Sequence, residues 1–198
     1  MRDDERLELL GRALVDEAVV ARFWGLTRTT DTACGRCWVG AITGRGHGRF
    51  WVARSADGHN VAIIAHRFAA ALRHGLGVLL DPTIQVTHTC DETTCVSVGD
   101  GHVILGTAQS NTQEWRRRSQ QIGSPLRDTR GARGRALAAR AAALQGQSVK
   151  SALAAGLPEI DRFQGMLPGL GGAELADSRP VDPAAGRRFG LDRSGRRD

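Results

Sequence analysis

Apolar residues at Leu7, Leu10, Leu14, Val15 and Ala18 recur at helical spacing behind an acidic first turn, which predicts an amphipathic helix over residues 3–23. Residues 27–32 are polar and read as a connector. The period then shortens. Residues 38–42 and 49–53 have strand character around a glycine-rich turn at 44–48. Asp57-Gly58 suits a hairpin turn into a third strand over 60–65. Residues 66–74 return to helical spacing and stop at Gly75, with Gly77 soon after. Beyond Asp81-Pro82, the stretches 84–88 and 102–107 alternate as strands, and 108–122 reads as a helix. After a linker at Gly123-Ser-Pro125, the alanine-rich stretches 132–144 and 148–155 are predicted helical. From Pro168 onward glycine, proline and charge dominate without a period, and little fixed structure is expected. The expectation is an α+β fold of small antiparallel strands and helices, with no large sheet and no internal repeat.

At 198 residues, the length suits one domain with appendages. The pattern divides it into an N-terminal helix (1–26), a core (27–122), a basic Ala/Arg-rich helical extension (123–167) and a tail (168–198). No apolar run approaches the ~18–20 residues of a membrane span, and Met1-Arg-Asp-Asp-Glu-Arg has no apolar signal core. A cytoplasmic protein with reduced thiols is the expectation.

Charge is uneven, which the net value of +6 conceals. Residues 1–114 carry 11 Arg against 13 acidic residues, whereas residues 115–198 carry 15 Arg and one Lys against 8. The excess begins at Arg116-Arg117-Arg118 and continues through Arg127, Arg130, Arg133, Arg135 and Arg140. Such a stripe suits a polyanion, since each neutralised phosphate releases counterions. A solvated Arg-biased helix face is the bland alternative.

The most informative segment is His88-Thr-Cys90-x4-Cys95-x6-His102-x8-Asn111. Cys90, Cys95 and His102 are soft or borderline ligands suited to a structural zinc ion. His88 and Asn111 are the types a hydrolytic site uses, one as proton acceptor and one as neutral oxygen ligand for a hard divalent cation. A strand, a Cys-rich loop, a strand and a helix would put His88 at a strand end and Asn111 in a helix's first turn, facing one cleft.

At these residues the chain resembles the HNH and His-Cys-box nucleases of the ββα-metal fold, the phage and bacterial HNH endonucleases above all. The resemblance lies in His88-Thr-Cys90-Asp91, Cys95-Val96, His102, Leu105-Gly106-Thr107 and Asn111. Upstream it includes Arg22-Phe23-Trp24, Trp38-Val39-Gly40, Gly46-His47-Gly48-Arg49-Phe50 and Ala65-His66-Arg67, in family order. It spans about residues 22–118. It implies a nuclease core over 27–122 and hydrolysis of phosphodiester bonds in double-stranded DNA. His88 would be the general base, Asn111 the ligand of one Mg²⁺ or similar ion, and zinc structural. Thr87 stands where many relatives carry a second metal ligand, so the ion would rest on Asn111, phosphate and water. His47 replaces the family's usual tyrosine and reads as packing.

The fourth zinc donor is open. One of Cys34 and Cys37 would join Cys90, Cys95 and His102, or both would join the two later cysteines and displace His102. Candidate phosphate contacts are Arg49, Arg54, Arg67, Arg116, Arg117 and Arg118. His66 suits either a phosphate contact or a structural role. Trp24, Trp38, Trp51 and Trp115 read as core residues, with Trp115 anchoring the helix that carries Asn111. Two other functions fit the pattern: a non-catalytic, zinc-stabilised DNA-binding or regulatory protein that keeps the nuclease fold, and a nuclease directed at RNA. The oligomeric state is not readable from the sequence.

Overall fold

The computed structural model describes residues 3–99 and 101–164. The expected tail at 168–198 lies outside them. The fold is α+β, with helices around three small antiparallel sheets.

The N-terminal helical pattern forms two helices, α1 (Asp3–Val15) and α2 (Glu17–Gly25), where one was expected. Asp16 causes the break. Its backbone is extended, and its carboxylate accepts from the amides of Ala18 at 2.9 Å and Val19 at 3.2 Å, capping α2. The turn brings Leu10 and Ala13 of α1 and Phe23 of α2 into the same apolar cluster. There Phe23 meets Trp38, Phe50 and Phe68 at ring-centroid distances of 5.4, 5.1 and 4.9 Å.

The expected polar connector contains a strand. β1 (Thr27–Thr29) pairs antiparallel with β2 (Arg36–Trp38), Thr27 lying opposite Trp38. β3 (Ala41–Ile42), β4 (Gly48–Arg54) and β5 (Asn60–Ile64) form the second sheet in that order. Gly40 and Gly48 flank the fully buried Trp38 indole, and a Cβ on either would come within 2.5 Å of its ring atoms. Close packing against one tryptophan therefore explains a glycine in each of two motifs, W-x-G and G-x-G-R-F.

Helix α3 (Ala65–His74) packs against β4 and β5 and ends at Gly75, followed by a short α4 (Gly77–Leu80). β6 (Gln85–His88) and β7 (Val103–Gly106) form an antiparallel pair in which His88 lies opposite Val103. Helix α5 (Ala108–Ser119) follows, three residues shorter than expected. Thr107 and Ser110 cap it reciprocally: the Ser110 amide donates to the Thr107 hydroxyl at 3.1 Å and the Thr107 amide to Ser110 Oγ at 2.9 Å. This cap fixes Asn111 in the first turn.

Three of the four tryptophans are not core residues. Only Trp38 is buried, while Trp24, Trp51 and Trp115 are 38%, 50% and 52% exposed. Helix α5 buries none of its side chains, so it is not anchored through Trp115. Polar contacts hold it instead. Arg118 pairs with Asp91 at 2.7 Å and donates to the His88 carbonyl at 3.1 Å.

The C-terminal helices α6 (Gly131–Leu144), α7 (Val149–Ala154) and α8 (Glu159–Gln164) follow a capped turn at Ser124. Ala139, Ala142, Val149 and Leu153 form their own apolar contact. Much of the arginine stripe is engaged inside the molecule. Arg135 is buried between Glu92 and Asp128, and Arg130 and Arg127 pair with Asp128 and Asp161, each at 2.7 Å. Arg140 donates to the carbonyls of Val39 and Gly40 at 2.8 and 3.0 Å. Arg135, through Glu92, and Arg140 fasten the extension to the rest of the fold, whereas Arg127 and Arg130 pair within it. Among the described residues no helix is long and apolar enough to cross a membrane.

Candidate metal centre and histidine-lined cleft

Cys34 is delivered by the loop between β1 and β2, and Cys90 and Cys95 by the loop between β6 and β7. Their sulfur atoms lie within 4.8 Å of one another. His102, at the foot of β7, brings Nδ1 to 3.6 Å from Cys34 Sγ. The three thiols could hold a metal ion, with the His102 imidazole beside them; zinc, with Zn–S bonds of about 2.3 Å, is the metal such donors suit. The geometry decides between the two cysteines of C-x2-C. Cys34 joins the cluster; Cys37 sits on β2 opposite Arg28, bridges to Cys95 through the backbone, and keeps its sulfur out of the group.

The thiol chemistry supports cation binding. Hydrogen bonds from the Cys34 and Cys90 thiols hold Cys95 down to about 4. The same contacts with Cys90 and Cys95, and burial after them, push Cys34 up. Sulfurs this close cannot all ionise unaided, and a cation removes that conflict. Burial, then the charges of Cys95 and Glu92, push Cys37 up to about 11, in keeping with a protonated core thiol.

A second cluster, unexpected as a unit, lies beside the first. His47 comes from the turn before β4, His66 from the start of α3 and His88 from the end of β6. One ring nitrogen from each falls within 4.8 Å of the others. His88 Nε2 and His66 Nδ1 are 3.0 Å apart, while the rings of His47 and His88 stack with centroids 6.1 Å apart. The Nδ1 atoms of His47 and His88 are buried without a hydrogen-bond partner. Burial, reinforced by the positive charge that His88 and His47 can carry, holds His66 well below the ordinary histidine value. Burial and then His88 also lower His47. Both are therefore neutral imidazoles at pH 7, with a lone pair to offer.

These histidines line an open cleft of about 850 Å³. Asn111 and Trp115 of α5 border it, as do Arg45, Arg67 and Asp91. His88 and Asn111 thus face one cavity, as the strand–loop–strand–helix reading of the sequence expects. Arg67 Nε is buried without a partner, whereas Asp91 is engaged by Arg118. Burial raises Asp91 above the ordinary carboxylate value, against the opposing contact with Arg118.

The other arginines singled out in the sequence divide by position. Arg49 and Arg54 are exposed on β4, with Arg54 Nε donating to Gly58 O at 2.9 Å. Arg116 and Arg117 are exposed on α5, with Arg117 paired to Glu114 at 2.8 Å. Arg118, only 13% exposed, is turned inward. Arg45, which sequence reasoning missed, lines the cleft, and its place one residue from Gly46-His47-Gly48 was the available signal. No family model, curated protein or solved structure matches the chain.

Proposed function

We propose that the chain is a metal-dependent endonuclease of HNH type, hydrolysing phosphodiester bonds in double-stranded DNA on a ββα-metal core formed by β6, β7 and α5. The observation that carries this reading is that His88 and Asn111, 23 residues apart in sequence, line one open cleft with Arg45 and Arg67 on its walls. An imidazole base, a neutral oxygen ligand and an unpaired cation are the complement that phosphodiester hydrolysis requires.

His88 is the general base in this account. Its Nε2 faces His66, which fixes the ring and leaves Nδ1 to accept a proton from the attacking water. With the shared proton on His88 Nε2, that Nδ1 carries the lone pair. Asn111 would hold a divalent cation through its carboxamide oxygen, and Mg²⁺ bound there would supply neutralisation of the charge that builds during cleavage. Arg67, with Nε free of intramolecular partners, stabilises the phosphate as charge builds. Zinc at Cys34, Cys90, Cys95 and His102 ties the β6–β7 loop to the β1–β2 loop and so supports the strand that presents His88. Cysteines that ligate metal or stay reduced rather than pair as disulfides fit a cytoplasmic setting.

The test is cleavage of supercoiled plasmid and of single-stranded RNA, in Mg²⁺ and after addition of EDTA. Mg²⁺-dependent nicking or linearisation of the plasmid supports the reading. Cleavage confined to RNA redirects it to an RNA nuclease. DNA binding without cleavage makes the chain a non-catalytic binder.

A further inference from the structure

The geometry points to a second metal site, distinct from the thiol cluster: His47, His66 and His88 together form a three-imidazole site for a borderline divalent transition metal such as Zn²⁺, Co²⁺ or Ni²⁺. Three lines converge on it. First, three chain segments far apart in sequence each contribute one histidine, and one ring nitrogen of each lies within 4.8 Å of the others. At that upper limit the centre of the triangle is about 2.8 Å from each nitrogen, against about 2.0–2.1 Å for a Zn–N bond, so movements below ~1 Å bring all three onto one ion. Second, His47 Nδ1 and His88 Nδ1 are buried without a hydrogen-bond partner. Buried polar atoms of this kind call for a specific explanation, and a cation is one. Third, the cluster opens onto the cleft, so an ion has a path of entry and positions left for water or phosphate oxygen.

The donor set also defines the metal. Three imidazole donors select zinc, cobalt or nickel over magnesium, which prefers carboxylate, carbonyl and water oxygen. The site therefore differs in chemistry from Asn111, a single oxygen donor, and from the sulfur-rich cluster. Its consequence rests on the nuclease reading: an ion held by His88 takes up a lone pair of the ring that would otherwise act as base. Such an ion would oppose Mg²⁺-supported cleavage.

The experiment is a Co²⁺ titration of the full chain, in the absence of DNA, after the thiol cluster has been loaded with zinc. One further equivalent of Co²⁺ should bind, giving visible d–d absorption without the near-ultraviolet thiolate charge-transfer bands of a sulfur site. His47→Ala should weaken this binding at least tenfold while leaving thiol-bound zinc in place, and His66→Gln should do the same. The part-buried His47 supplies the more tolerant position if His66→Gln fails to fold. Absence of a second equivalent, thiolate charge-transfer bands in the added signal, or unchanged binding in His47→Ala would each overturn the assignment. Because the readout needs no DNA, a chain that binds Co²⁺ in this way but cuts nothing keeps the site and loses the nuclease, and the converse also holds.

Discussion

The Arg118 guanidinium donates from Nη2 to the His88 carbonyl at 3.1 Å and from Nε to Asp91 at 2.7 Å, tying the last turn of α5 to the end of β6. With no buried side chain on α5, this clamp governs how the helix bearing Asn111 sits against the strand bearing His88. Three consecutive arginines that look equivalent in the sequence thus do different things.

Arg118→Ala should destabilise the fold by about 1–3 kcal/mol, the usual effect of leaving a part-buried hydrogen-bonding group unpaired. Arg116→Ala and Arg117→Ala, both on the solvated face, should stay within ~0.5 kcal/mol of wild type. DNA affinity should respond in the opposite order. Where Arg116 and Arg117 neutralise phosphate, their joint removal lowers the log–log salt slope by about 0.9 for each phosphate left unneutralised. Urea unfolding and affinity at several salt concentrations separate the two effects.

The thiols divide as sharply. On the zinc reading, Cys34→Ser and Cys95→Ser should abolish zinc binding and destabilise the fold severely, because the binding free energy of such a site is also folding free energy. Cys37→Ser should keep that zinc, since its sulfur stands outside the cluster. Metal content and thermal unfolding of the three purified variants check this. Loss of zinc from Cys37→Ser, with retention in Cys34→Ser, would reverse the assignment.

Much of this arrangement is legible in the sequence. The alternation of 84–88 and 102–107 and the helical period after them anticipate strands β6 and β7, the helix α5, and the opening of His88 and Asn111 onto one cleft. The rest depends on long-range geometry. Cys34 and Cys37 are chemically equivalent in the sequence, and only the path of the β1–β2 loop separates them. His47 reads as packing because its partners, His66 and His88, come 19 and 41 residues later. The stripe at 127–140 resembles a polyanion arm because its acidic partners, Glu92, Asp128 and Asp161, are scattered and few. Local periodicity does not reveal the break at Asp16, where one capping side chain overrides a continuous apolar pattern.

Arg135 provides a direct test of the inward-turned stripe. Arg135→Ala would leave Glu92 and Asp128 close together without their shared cation, and a loss of about 3–5 kcal/mol is expected for breaking a buried pair on one side. Arg133→Ala, an exposed neighbour on the same helix, should be nearly neutral. Equal, small effects in chemical denaturation would return both residues to a solvated face.

Acid should weaken the fold through the histidine cluster. His47 and His66 are held below their unfolded value, so below about pH 6.5 the unfolded chain binds protons that the folded chain does not. Their contribution to stability is present at neutral pH and is lost as pH falls toward their folded values. Each can contribute a slope of up to about 1.4 kcal/mol per pH unit in that window. Denaturation between pH 7.5 and 5.5, in buffer free of added transition metal, should show a shallower decline for His47→Gln than for wild type.

The central claim is that His88 abstracts the proton from the attacking water. Its most direct test is the single-turnover rate of Mg²⁺-dependent plasmid cleavage by His88→Ala, with zinc content and unfolding midpoint measured on the same preparation. The account predicts intact zinc, a near wild-type fold and a rate lowered by ~10²–10⁴-fold, the contribution of a positioned general base. Near wild-type cleavage by that folded, zinc-loaded variant would contradict it.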